Sequence, residues 1–145
     1  MAHDVPQAAA QSRHIGRSLL ALICGFVVAL VLSLASDLAV HVTGLWPDMD
    51  RPMSSKLFVV ATLYRTIYGV VSGYVVARLS PYSPLGHALV GGCIGVVLSI
   101  VGAAATWNED LGPHWYPLAL VVVALPAAWA GGILRVRQLA RSSPS

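Results

Sequence analysis

The chain carries four long apolar stretches, Leu19 to Thr43, Leu57 to Leu79, Leu85 to Trp107 and Trp115 to Leu134. Each is long enough to cross ~30 Å of hydrocarbon as a helix at 1.5 Å per residue. Barrel strands would alternate apolar and polar residues over about ten positions. Runs such as Val121-Val122-Val123-Ala124-Leu125 are instead apolar on every side. Inside lipid, backbone groups have no partner except one another, so the β-branched residues in these runs do not oppose a helix. With 57% hydrophobic and 10% charged residues and a mean hydropathy of +0.73, little of the chain remains for a water-soluble core. The sequence therefore predicts an all-α, multi-pass membrane protein with a four-transmembrane-helix bundle over residues 17–135. Residues 1–16 and 136–145 read as tails outside the membrane, loose over the first sixteen residues and over Arg141 to Ser145.

Basic residues set the orientation. Arg13, Arg17, Arg78, Arg135, Arg137 and Arg141 fall on one side of the four spans, against Arg51 and Lys56 on the other, and the ninth, Arg65, lies inside the second span. By the positive-inside rule both termini are cytoplasmic. The net charge of +3 thus reads as membrane orientation, and it predicts no nucleic-acid partner, because the cations lie beside apolar segments rather than in one patch. Arg13 and Arg17 before an apolar stretch, with Ser33-Leu34-Ala35 following, imitate a cleaved signal. The stretch runs well past the ~7–15 apolar residues of such signals, so it is read as a span.

Small or polar residues recur at four-residue spacing. The first span has Gly25, Ala29, Ser33, Asp37 and His41; the second has Ala61, Arg65, Gly69, Gly73 and Ala77; the third has His87, Gly91, Gly95, Ser99 and Ala103. The fourth is less regular, with Ala124, Ala128 and Gly132 beside Ala127 and Gly131. Such stripes let helix backbones approach where lipid removes the hydrophobic drive between helices. They predict tight packing inside the bundle, or against a second copy or another membrane protein, through Gly25, Ala29, Ser33, Gly69, Gly73, Gly91, Gly95 and Ser99.

Two charges lie within the spans. Asp37 is about 9 Å from the Thr43 end and Arg65 about 12 Å from the Leu57 end. Side chains lean toward their own helix N-terminus, so in an antiparallel hairpin the two charged groups converge in depth. An unpaired charge there costs ~2.5 to 3.5 kcal/mol on insertion scales, which predicts an ion pair. The pair reads either as a lock between the first two helices or, with His41 one turn from Asp37, as part of a proton or ion relay. Tyr64 and Tyr68 flank Arg65 and are placed to donate hydrogen bonds.

Other polar residues are less specific. Trp46, Trp107, Trp115 and Tyr116 form an aromatic belt at the interface opposite the termini. His41, Asp48, Glu109, Asp110 and His114 lack any compact metal-ligand spacing, so no metal and no cofactor is expected. His87, near Arg78, is placed to meet lipid phosphate or to cap the packing groove. Cys24 and Cys93 show no CxxC or Cys-His signature and read as small packing residues. Pro81 and Pro84 bracket a short hairpin turn, and Pro126 would bend the fourth helix. Walker, GxSxG, HExxH and post-strand GxGxxG motifs are missing, so no enzyme is expected.

Several of these residues together resemble a group of small bacterial four-helix membrane proteins of uncharacterised activity. The likeness covers about residues 16 to 134. It rests on Asp37 with His41, Gly44 and Pro47; on Tyr64-Arg65 followed by Gly73-Tyr74, Ala77-Arg78-Leu79 and Pro81; and on His87-Ala88, Thr106-Trp107, Gly112-Pro113-His114-Trp115-Tyr116-Pro117, Pro126 and Gly131-Gly132. Where that group has Gly-Gly-Tyr this chain has Ser72-Gly73-Tyr74, an exchange of small residues. The resemblance implies a bacterial inner-membrane protein and supplies no activity. From the residues, the reading is a non-enzymatic structural or accessory membrane protein. The alternative is a small-solute or proton-linked transporter, working as an oligomer, with Asp37, His41 and Arg65 lining the path.

Overall fold

A computed structural model describes residues 5–44, 54–109 and 112–142, with side chains from residue 14 onward in the first helix. Four helices make up the fold: α1 (Val5–Val42), α2 (Ser55–Leu79), α3 (Pro84–Ala105) and α4 (Trp115–Ser142). All four are long and apolar enough to cross a membrane, and the chain is a multi-pass membrane protein. The start of α1, the end of α4 and the α2–α3 turn lie at one end of the bundle, here the terminal end. The α1–α2 and α3–α4 connections lie at the other, the two-loop end. Trp46, Pro47, Asp48, Asp50, Arg51 and Asp110 fall outside the described residues.

Two helices exceed the expected bounds. α1 begins at Val5, within the segment read as a loose tail, and α4 continues past Leu134 to Ser142. Both extensions are polar but rich in strong helix formers: Gln7-Ala8-Ala9-Ala10-Gln11 in one and Arg135-Val136-Arg137-Gln138-Leu139-Ala140-Arg141 in the other. Pro6 sits in the first turn of α1, where its missing N–H costs nothing. Hydropathy marks where lipid ends, whereas the backbone ladder stops where propensity fails. Pro126 lies within α4 without ending it.

The interior is built almost entirely from small residues. Ala21, Ala61, Ala77, Ala88, Ala103, Ala127 and Ala128 are buried, joined by Phe58 and Val76, and no polar side chain is buried among the described residues. Large apolar side chains point outward instead, Leu34 at 60% exposed and Val122 at 71% among them. That inversion of a soluble core is expected where lipid solvates the outside and backbones pack against backbones inside.

α4 is the hub, packed along both α2 and α3. A Cβ on Gly131 would collide with the Val70 carbonyl oxygen and sit 2.5 Å from the Tyr74 amide nitrogen, so α2 and α4 touch backbone to backbone. Gly73 meets α4 just as closely, its Cβ position lying 2.6 Å from the Ala128 carbonyl oxygen. α1 lies against α2, where Gly25 accommodates Val76 and the Ser72 hydroxyl donates to the Gly25 carbonyl at 2.8 Å. Toward α3, α1 makes few contacts, and it does not reach α4 among the described residues.

On α3 the closest approach to α4 falls one residue from the Gly91–Gly95 step, while Ala103 of that stripe is buried. Ala88 and Gly92 face α4, with Gly92's Cβ position 2.8 Å from the Ala128 Cβ. Gly91 and Gly95 pack more loosely, their Cβ positions 3.4 Å from Leu22 of α1 and 3.9 Å from Ala124 of α4, and together with Ser99 they line a cleft. Ala29 and Ser33 of α1, also expected to pack, line the same cleft. Cys93 is exposed rather than packed.

Candidate functional site

The antiparallel run of α1 against α2 brings Asp37 and Arg65 together in the bundle. Arg65 Nη2 donates to Asp37 Oδ2 at 2.7 Å, and the Tyr64 hydroxyl donates to Asp37 Oδ1. Both carboxylate oxygens of Asp37 are thereby engaged by neighbouring residues of α2. One turn along, the hydroxyls of Ser36 and Tyr68 are hydrogen-bonded, and the Tyr64 and Tyr68 rings lie 5.6 Å apart between centroids. α4 contributes from the other side: the Arg65 guanidinium carbon sits 5.7 Å from the Tyr116 ring centroid, within cation–π range. Arg65 Nε is buried without a hydrogen-bond partner, which leaves that donor desolvated.

The pair is not sealed from its surroundings, for the side chains of Arg65 and Asp37 remain 30% and 27% exposed. Below it, toward the terminal end, opens a cleft of about 840 Å³ between α1 and α3, floored by α2 and α4. Above it, toward the two-loop end, is a smaller vestibule of about 280 Å³ walled by Phe58, Trp107, His114 and Tyr116. Arg65, Ser99 and Leu120 line both spaces, so these three residues stand between them.

His41 lies one turn from Asp37 on the same helix. Its Nδ1 contacts the main-chain carbonyl of Asp37 at 2.9 Å, and the residue is exposed on α1. Of the residues weighed as metal ligands, Asp48 and Asp110 fall outside the described residues. Among the described residues no three His, Cys, Asp or Glu side chains converge. Both cysteines are free thiols.

At the terminal end His87 is a helix-to-helix contact. Its Nε2 lies 2.8 Å from the Ser18 hydroxyl of α1 and its Nδ1 3.2 Å from the Ser83 carbonyl, with the Tyr82 ring edge-on at 4.9 Å. Ser83 occupies the left-handed region at φ 44°, a conformation costing a non-glycine residue roughly 1–2 kcal/mol. Pro84 follows it and starts α3.

Ser36, Tyr116 and Ser72 entered the cluster or its supports without a sequence signal strong enough to single them out. Tyr116 sat in a motif that reads equally well as interfacial belt, and only the packing of α4 on α2 turns its ring toward Arg65. No protein-family model, no curated protein and no solved structure matches the chain.

Proposed function

We propose that this is a non-enzymatic accessory protein of the bacterial inner membrane, with both termini cytoplasmic, whose α1–α3 cleft receives one transmembrane helix of a partner protein. The observation that carries the reading is the engagement of Asp37 by Tyr64 and Arg65. A carboxylate with both oxygens occupied by the neighbouring helix is a clamp that fixes α1 on α2 at this depth, while α1 meets α3 through His87 and Ser18 at the terminal end of the cleft. Among larger apolar side chains such as Phe26, Leu30, Ile94 and Leu98, the walls of the cleft present small ones, Ala29 and Ser33 on one side and Gly91, Gly95 and Ser99 on the other. Side chains of that kind favour close approach of another helix. From Leu19 to Asp37 the α1 wall runs about 27 Å, nearly the hydrocarbon thickness, a length suited to a complete span.

A photo-crosslinking amino acid at Ser33 or Ser99, compared with one at outward-facing Val97 or Val122, tests this in native membranes. A discrete protein adduct from the cleft positions alone is expected. Lipid adducts alone from the cleft, or indistinguishable adducts at all four positions, would overturn it. An adduct of twice the chain's mass would assign the occupant to a second copy and refute a distinct partner.

One observation favours the transport reading instead: the vestibule and the cleft adjoin at Arg65, Ser99 and Leu120. A relay across that point predicts pH-dependent flux into proteoliposomes that Asp37→Asn abolishes. No flux, from a protein that folds normally, counts against it.

A further inference from the structure

The backbone contact of α2 with α4 also fixes what meets one turn nearer the terminal end. Because Gly131 lies on the Val70 and Tyr74 backbone, Arg135 and Gln138 of α4 are delivered to Tyr74 and Arg78 of α2. The Tyr74 hydroxyl accepts from Arg78 Nη1 at 3.1 Å and donates to Gln138 Oε1 at 2.8 Å. Arg135 lies within electrostatic reach of the same hydroxyl, and its Nε is buried with no acceptor. Two guanidinium groups thus converge where their neighbour's hydroxyl is already used in both directions. What the cluster still offers is N–H: the remaining protons of Arg78 and Arg135 and the Gln138 amide.

No carboxylate among the described residues relieves that charge. Among the described residues only Asp37 and Glu109 are acidic, and both lie toward the two-loop end. Depth and surroundings decide which anion such a cluster suits. Arg135 is about 30 Å along α4 from Trp115, which sets it at the headgroup level of the leaflet on the terminal side. Leu79 and Leu134, the sequence neighbours of Arg78 and Arg135, are 43% and 48% exposed, so apolar side chains stand at the same level as the cations.

We infer that Arg78, Arg135 and Gln138, aligned by Tyr74, bind the phosphodiester of an anionic phospholipid in that leaflet, with its acyl chains lying along Leu79 and Leu134. Guanidinium groups match phosphate oxygens through paired N–H donors, and basic pockets between transmembrane helices at this level are suited to such headgroups.

The test is native mass spectrometry of the full chain in mild detergent, titrated with phosphatidylglycerol or with phosphatidylcholine of the same acyl chains. Phosphatidylglycerol is expected to be retained in preference. Replacing both cations (Arg78→Gln with Arg135→Gln) lowers that retention on the order of 30-fold, about 2 kcal/mol at 1.4 kcal/mol per tenfold. The control Arg137→Gln with Arg141→Gln removes the same charge from exposed positions of α4 and leaves retention within about threefold. Equal losses from the two pairs, or no preference for phosphatidylglycerol in the parent, would overturn the site. If the first pair fails to fold, Tyr74→Phe keeps every charge and removes the aligning hydroxyl. A several-fold loss supports the site, and unchanged retention refutes it.

Discussion

Adding one methyl group at Gly131 is the sharpest probe of the packing. The Cβ of Gly131→Ala would collide with the Val70 carbonyl oxygen and lie 2.5 Å from the Tyr74 nitrogen and 2.9 Å from the Gly73 carbonyl carbon. All three are backbone atoms of one helix, so no rotamer change can clear them. Ordinary contact begins near 3.4 Å, and α4 must therefore retreat from α2 by roughly 1 Å. A gap of ~0.5–1 Å forfeits a quarter to a half of each dispersion contact it opens, and overpacking typically costs ~1–3 kcal/mol. Because α4 is also the contact surface for α3, the upper part of that range is expected, a loss of roughly 5–10 °C in thermal midpoint. Scanning fluorimetry on the native tryptophans, in detergent, reads it. Gly102→Ala is the control: nothing lies within 4 Å of that Cβ position, and alanine is the better helix former by ~1 kcal/mol. If Gly131→Ala melts within 1 °C of Gly102→Ala, the backbone contact of α2 and α4 is wrong.

Three further outcomes are expected. Gly92→Leu should destabilise strongly, since its Cβ position already lies 2.8 Å from Ala128, whereas Gly95→Leu should fold normally and block crosslinking from Ser99 by filling the cleft. Phe58→Ala removes a 5%-exposed ring packed on Gly112 and 4.9 Å from Tyr116, and should cost ~3–5 kcal/mol, read as a lowered midpoint. His87→Ala removes the ring that joins Ser18 to Ser83; crosslinking yield between cysteines placed at Ser18 and His87 cannot report it, so spin labels at Leu19 and Val90 should show a broadened α1–α3 distance.

Much of the architecture was legible in the sequence because lipid imposes few solutions. Stretches that long and that apolar must close their own backbone hydrogen bonds, which yields four helices, and Asp37 and Arg65 at similar depths on sequential helices must meet or be expensively exposed. The polar helix extensions were not legible from hydropathy, since Arg135 to Arg141 reads as tail on one scale and as good helix on another. The register of α3 was ambiguous because Gly91 and Gly92 are adjacent: the longer stripe runs through Gly91, Gly95, Ser99 and Ala103, and Ala88 with Gly92 makes only a short small-residue pair beside it. Only the position of Ala128 and Gly132 on α4 selects Ala88 and Gly92 as the packed face. Tyr116 over Arg65 was hidden for a related reason: it depends on how α4 crosses α2, which the intrahelical period does not encode.

The clamp at Asp37 is tested most directly by a double-mutant cycle on thermal and chemical stability in detergent, with Asp37→Asn, Arg65→Gln and the combined variant. Tying α1 to α2 through this pair predicts that each single change destabilises by roughly 1–3 kcal/mol, and that the double variant recovers at least ~1 kcal/mol of the summed loss. Single variants as stable as the parent, with coupling below ~0.3 kcal/mol, would contradict the clamp and leave the charges to a relay.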